Sequence, residues 1–277
     1  MPNVDLHCHS SISDGLLLPA EVAARAHANG VQVWALTDHD EVAGIKEARN
    51  AAQDLGMSHV SGVEISVTFA NQTVHIVGLG IDEDNPLLVQ GLAETRAGRE
   101  RRARKIGEEL AAVGIAGAYE GALQFVKNPD LVSRTHFARF LVEQGRCRDI
   151  PEVFERYLAK GKPGYVPHQW ARLGDALNWI RAAGGIAVIA HPGRYKFEPL
   201  AFQALFDEFK ALGGAGIEVI TGSHTPDQYE EYARVARRHG FLASRGSDFH
   251  GPGESRVELG DLPDLPDDLK PVWSMLL

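Results

Sequence analysis

The feature that most constrains this chain is a repeated order: a short apolar run bounded by turn residues, an amphipathic stretch, then another apolar run. The runs are "VDLHCHS", "VQVWALTDHD", "GIAVIAHPG", "AGIEVITG" and "FLASRGSDFHG". The stretches beside them, "PAEVAARAHANG", "VAGIKEARNAAQDLG", "LGDALNWIRAAGG", "LAFQALFDEFKALGG" and "DQYEEYARVARRHG", read as helices. Pro19 opens the first of these, and Gly30 and Gly56 close the first two. "SHVSGVEISVTF" and "QTVHIVGLG", with a short "ANQ" between, alternate in polarity and read as a strand with its hairpin return. Strand alternating with helix predicts parallel β/α units. Six or seven of them in 277 residues predict an α/β closed barrel rather than an open sheet.

Between residues 100 and 168 the pattern changes. "GRERRARKIGEELAAVG", "SRTHFARFLVEQG" and "DIPEVFERYLAKG" are helical and no clear strand intervenes. The expected division is therefore a barrel of residues 1–99 and 169–277, with residues 100–168 as a helical insertion capping the site. A net charge of −9 argues against a protein that coats nucleic acid nonspecifically. Two cysteines, Cys8 and Cys147, neither in a CxxC, exclude a disulfide framework and thiolate zinc sites. The first residues lack a charged-then-apolar leader, and runs such as "IAVIA" fall far short of a membrane span. A cytoplasmic location without membrane attachment is expected, and no stable protein partner is implied.

Metal-type side chains recur where these strands end. In a strand, residues i and i+2 share a face, so His7 and His9 point one way and Cys8 the other. Asp14 follows in the next loop, His39 ends the second strand, Glu64 and His75 lie on the hairpin, and His191 closes "VIAHPG". "RGSDFHG" adds Asp248 and His250. Each alone has an ordinary reading as a turn former, a helix cap or a hydrogen-bonded loop histidine. Glu64 fits that reading poorly, because a carboxylate in an apolar strand needs a cation or donors. Active sites of α/β barrels form at the C-terminal strand ends, and nine such residues predict one shared site there. Asp38, adjacent to His39, would diverge from it and is expected to orient the ligands as a catalytic residue behind them.

The motifs "LHCHS", "LTDHD", "GVEIS", "VHIVG", "IAHPG" and "GSDFHG" resemble, in order, those of the polymerase-and-histidinol-phosphatase (PHP) family of amidohydrolase type. The resemblance covers residues 1–98 and about 170–277. It implies a distorted, TIM-like (β/α)7 barrel holding two or three divalent ions. By the same resemblance His7, His9, Glu64 and Asp248 hold one ion, Glu64, His75 and His191 a second, and Asp14, His39 and His250 a third. A mixed histidine and carboxylate set suits Mn²⁺, Zn²⁺ or Fe²⁺ better than Ca²⁺ or Mg²⁺, and Mn²⁺ is the first expectation.

The insertion looks closest to small stand-alone members that act as 3′,5′-nucleoside bisphosphate phosphatases or as 5′-3′ exoribonucleases. The expected function is removal of the 3′-phosphate from a nucleoside 3′,5′-bisphosphate. Trimming of short RNA, histidinol phosphate hydrolysis and a non-catalytic scaffold role are the alternatives. A doubly phosphorylated nucleotide needs cations away from the metals: Arg194 in "AHPGRY", Arg134 at a helix start, and Arg99 with Arg102 at i, i+3. His224, in "TGSHTP" at another strand end, is a candidate leaving-group acid.

Overall fold

The computed structural model describes residues 2–277. Its sheet follows β1 (Val4–Asp5), β2 (Val33–Leu36), β3 (Ser58–Phe69), β4 (Gln72–Leu79), β6 (Ile186–Ile189), β7 (Gly216–Thr221) and β8 (Leu242–Gly246), with β5 (Ala171–Arg172) added beside β3. Leu6 N donates to Arg245 O at 3.1 Å, which brings the first strand against the last and closes the sheet into a distorted barrel. The helices are α1 (Pro19–Ala28), α2 (Ile45–Asp54), α3 (Pro86–Arg96), α4 (Arg99–Ala112), α5 (Ala118–Leu123), α6 (Arg134–Glu143), α7 (Ile150–Val153), α8 (Leu173–Ala182), α9 (Pro199–Ala211) and α10 (Pro226–His239).

Why these segments form these elements is mostly local. Strands β2, β6 and β7 are buried along almost their whole length, as a barrel wall covered by helices requires. Gly30 and Gly56 take left-handed conformations (φ 78° and 74°) just past α1 and α2. Asn85 caps α3 by accepting from Leu87 N and Leu88 N at 3.1 and 3.2 Å. Neither α3 nor α5 is among the helices expected from sequence.

The hairpin expected from sequence is present: strands β3 and β4 pair antiparallel, and the reversed β4 therefore pairs antiparallel with β6 as well. The last residues of β3 overhang the barrel, where Val67 and Thr68 pair with β5.

Most barrel strands and helices share one apolar core containing Val63, Ile76, Ile189, Phe209 and Ile217, while α1 and α2 pack largely around a second cluster with Cys8, Trp34 and Leu36. The stretch from residue 103 to 166 packs around a separate cluster that includes Leu110, Phe137, Leu141 and Leu158. "DIPEVFERYLAKG" is not one helix: α7 passes directly into a π-helical turn, Phe154–Leu158.

Candidate metal and phosphate site

Beyond β1 the chain stays extended beside Phe249, and His7 and His9 emerge on one side with their Nε2 atoms 3.2 Å apart. Cys8 turns the other way, and Trp34 Nε1 donates to its Sγ at 3.2 Å. Glu64 lies at the centre of the imidazoles. Its Oε1 lies 2.9 Å from His75 Nδ1, 2.9 Å from His191 Nε2 and 3.3 Å from His7 Nε2. Its Oε2 lies 2.8 Å from His39 Nδ1 and 3.4 Å from His9 Nε2. Asp248 Oδ1 is 3.4 Å from His9 Nε2, and Asp14 Oδ1 is 3.4 Å from His250 Nε2. All nine side chains named from the sequence are thus brought together. His75 arrives differently from the expectation of C-terminal strand ends. Because β4 runs backwards, His75 reaches the rim from within its strand, opposite Ser66.

Two of the nine carry backbone strain. His191 has φ 26° and Asp248 φ 55°, conformations that non-glycine residues adopt at a cost of roughly 1–3 kcal/mol each. The surrounding barrel holds them there. Gly246 shows how tight this is: a Cβ on it would lie 2.4 Å from the Cβ of His7.

The close approaches within the cluster are not all hydrogen bonds. Asp14 Oδ1, His39 Nδ1, Glu64 Oε2 and His75 Nδ1 are buried with no hydrogen-bond partner. Such atoms are costly to leave unpaired, and they converge on one another without the alignment a proton would need. Donor atoms mutually within 4.8 Å form the groups His9–Asp14–His39–His250, His7–His191–Asp248, His7–His9–Glu64 and His39–Glu64–His75. This nitrogen and oxygen donor set fits divalent ions of the Mn²⁺, Fe²⁺ and Zn²⁺ kind. The groups cut across the ligand sets implied by resemblance: His9 stands with Asp14, His39 and His250, and His191 with His7 and Asp248.

Burial alone would neutralise the cluster, yet its charges resist. Burial raises the Glu64 carboxyl, but His75, His39 and His7 outweigh it and hold its pKa well below the ordinary range. Asp14 and Asp248 are likewise held low against burial by the histidines facing them. His9, buried beside His250 and His39, is pushed down to about 3, and His191, buried beside Arg194, also to about 3. Both therefore present neutral imidazoles.

Several residues that hold this arrangement escaped the sequence reading. Glu218, on β7, accepts from His7 Nδ1 at 2.8 Å and from His191 N at 2.6 Å. That fixes the His7 ring with its Nε2 toward the cluster. The available signal was a carboxylate inside "GIEVI", the same oddity that marked Glu64. Asp5 accepts from Ser247 N and Gly260 N, both at 2.9 Å, which ties β1 to the segment bearing Asp248. From the insertion, Ser133 Oγ and Thr135 Oγ1 donate to Asp14 Oδ2 at 3.1 and 3.2 Å.

Asp38 diverges from the cluster, as expected of a residue that orients it from behind: it accepts from Ser10 N (2.8 Å), Ser10 Oγ (2.6 Å) and Ser13 Oγ (2.6 Å). Its lone pairs pin the loop leading to Asp14, and burial pushes its pKa up to about 6 despite those donors. One expected role is corrected: His224 is no free acid. Its Nδ1 donates to Val219 O at 3.2 Å, and its Nε2 accepts from Gly193 N at 2.9 Å. It braces the turn between His191 and Arg194, and burial pushes its pKa down to about 4.

All four arginines named from sequence line one cavity with Asp14, His39, His75 and His250. Its volume is about 120 Å³. The four differ in their partners. Arg99 pairs with Asp40, lies 4.7 Å over the Trp170 ring, and keeps a buried Nε without a partner. Arg194 is bonded to Asp248 at 3.1 Å. Arg102 and Arg134 donate to carbonyls, those of Val166 (3.0 Å) and Leu158 (3.3 Å), and lie over the Trp170 and Phe154 rings at 5.2 and 5.5 Å. Burial, and then the charges of Arg134 and Arg99, push Arg102 down to about 9. Two half-buried cations lacking a carboxylate partner make an anion site.

The PHP domain family profile matches residues 5–163. Over 276 residues the chain is 51% identical to the 3′,5′-nucleoside bisphosphate phosphatase of Chromobacterium violaceum, covering 100% of this chain and 97% of that protein. It is 44% identical to the 5′-3′ exoribonuclease of Haemophilus influenzae, covering 97% of each. An amidohydrolase from Chromobacterium violaceum, solved with bound sulfate and no metal, superposes with TM-score 0.96 at 51% identity, covering 99% of this chain and 95% of that one.

Proposed function

The chain belongs to the PHP domain family, and on that premise we propose that it is a metal-dependent phosphoesterase removing the 3′-phosphate of nucleoside 3′,5′-bisphosphates. The observation that carries this reading is one cavity with two unlike anion sites. Members of the histidine and carboxylate cluster lie in its wall, together with the guanidinium groups of Arg102 and Arg134, which have no carboxylate partner. A substrate with phosphates at both ends of a ribose matches that pairing. The 51% identity to a bisphosphate phosphatase supports the same choice.

In this reading the nine side chains hold two or three divalent ions, Mn²⁺ first among them. When bound, such ions lower the pKa of water and stabilise both oxygens of an in-line displacement. The remaining work falls to the chain itself. Glu218 and the Asp248 carbonyl orient the His7 and His250 rings by accepting from their Nδ1 atoms. Arg102 and Arg134 receive the 5′-phosphate, and Arg194, on the rim beside Asp248, meets charge on the phosphate being cleaved. Residues 100–168 act as the cap. Their helix α6 contributes Arg134 to the cavity and holds Asp14 through Ser133 and Thr135. Among the described residues no helix is long and apolar enough to cross a membrane, and a cytoplasmic enzyme is the expected setting.

The test is turnover of adenosine 3′,5′-bisphosphate, histidinol phosphate and a short 5′-phosphorylated RNA, each with added Mn²⁺. Preference for adenosine 3′,5′-bisphosphate is expected; preference for histidinol phosphate would reject the specificity while leaving the chemistry. Arg134→Ala should raise KM about tenfold or more, as loss of a charge-assisted contact of roughly 1.5–3 kcal/mol requires. Metal content measured by atomic emission should stay unchanged. Equal loss of both would contradict the assignment.

A further inference from the structure

Arg99 and Arg102 stand three residues apart at the start of α4 and reach the same cavity wall. Like charges so placed repel each other, and of the two only Arg99 has an acid, Asp40. Arg102 is held beside it by a carbonyl and by an aromatic ring.

That ring serves both arginines. The two guanidinium carbons lie over the indole of Trp170, 4.7 and 5.2 Å from its centroid, and Trp170 lines the cavity with them. Indole is the best aromatic partner for a cation, and the attraction grows as the cation loses water. Arg99 is buried and Arg102 half-buried. The indole is itself anchored. Its Nε1 donates to Thr73 Oγ1 at 3.1 Å, and the Trp170 backbone N donates to Thr68 Oγ1 at 2.7 Å. Both threonines belong to the β3–β4 hairpin, which also carries Glu64 and His75. The His168 ring stands edge-on to the indole, 4.3 Å between centroids. Burial, and then the charges of Arg102 and Arg99, push that imidazole down to about 4, so it adds no third charge. The chain leaves the barrel through Gly98 and returns through His168, and the two passes touch: a Cβ on Gly98 would lie 2.4 Å from the His168 ring. The paired arginines are thus fixed where both connections to the insertion cross.

We propose that Trp170 is the positioning residue of the 5′-phosphate site. Its indole holds Arg99 and Arg102 side by side in the cavity wall and ties them to the hairpin bearing Glu64 and His75. One ring therefore sets the preference for a substrate phosphorylated at both ends of its ribose. The proposal rests on the phosphoesterase reading and names the residue that gives that reading its selectivity. Trp170 acts through the arginines and touches no reacting atom.

The experiment uses the Mn²⁺-loaded full chain as wild type, Trp170→Leu and Trp170→Phe, with adenosine 3′,5′-bisphosphate and adenosine 3′-monophosphate as substrates. Trp170→Leu should raise KM for the bisphosphate about tenfold and lower kcat less than about threefold. The ratio of kcat/KM between bisphosphate and monophosphate should fall about tenfold. Trp170→Phe keeps an aromatic face and should recover most of the KM. A second readout needs no turnover: Trp170→Leu should weaken the Kd of adenosine 5′-monophosphate about tenfold in titration calorimetry, with Mn²⁺ content by atomic emission at the wild-type value. If Trp170→Leu does not fold, Thr73→Val, which releases the indole Nε1, tests the same role; it should raise KM for the bisphosphate about threefold, and no rise would overturn the proposal. Equal losses on both substrates, a loss confined to kcat, or Trp170→Phe no better than Trp170→Leu would overturn it too. A wild type that binds Mn²⁺ but turns over neither substrate would instead bring down the phosphoesterase reading. Weaker binding of adenosine 5′-monophosphate by Trp170→Leu would even then support the indole's role.

Discussion

Glu64 and Glu218 occupy equivalent-looking places, each a lone carboxylate inside an apolar strand, and do different work. Glu64 faces four imidazoles within 3.3 Å, His7, His39, His75 and His191, whereas Glu218 backs one of those imidazoles from behind. Glu218→Gln keeps the shape but removes the charge that orients the His7 ring. Metal affinity should fall about 10–100-fold, read by competition with a chromogenic chelator; unchanged affinity would leave Glu218 a structural residue only. Asp38 offers the opposite control. Its oxygens hold serine donors, not reacting atoms, so Asp38→Asn should keep kcat within a few-fold, against the roughly 10²–10⁴-fold loss expected for an acid or base.

Among the elements, the β3–β4 hairpin and helix α6 decide the shape of the site. The hairpin reverses β4, which lets Glu64 and His75 face each other across adjacent strands. Helix α6 is more than a lid. Arg139, on its buried face, donates to Asp14 O at 2.6 Å and pairs with Glu254. Removing it strands a mostly buried carboxylate and frees the Asp14 loop from the insertion. Arg139→Ala should therefore cost about 3 kcal/mol in urea unfolding, and a loss below about 0.5 kcal/mol would show that other contacts hold the loop. The insertion core is separately testable. Phe137 is completely buried, and Phe137→Ala should cost roughly 3–5 kcal/mol, with limited proteolysis cutting first within residues 100–168.

At the scale of the molecule, the barrel gathers ionisable side chains from strands and loops spread over more than 240 residues of sequence. Strained backbone at His191 and Asp248 and unpaired buried atoms at Asp14, Glu64 and His75 show that the fold bears a cost to assemble them. Bound cations would repay part of it. A metal present at about a hundredfold excess over its Kd stabilises by about 2.7 kcal/mol. Chelation should thus lower Tm by roughly 5–10 °C in calorimetry, given 2–4 °C per kcal/mol at this size. A transition unmoved by chelation and by added Mn²⁺ would count against a metal centre.

The sequence by itself determined the strand and helix alternation, the positions of most helices and the nine residues that meet at the rim. Those properties are local: polarity periods, glycine and proline punctuation, and donor side chains at the ends of apolar runs. Only the tertiary structure decided which acids serve from behind, how the donors group, and which arginines lack a carboxylate partner. Glu218 went unnamed because a carboxylate's role depends on which donors surround it, and those come from distant strands. His224 lost its role for the same reason, both ring nitrogens being engaged by backbone. Direction across a barrel and the company a charge keeps are set by packing between remote segments, which no local spacing encodes.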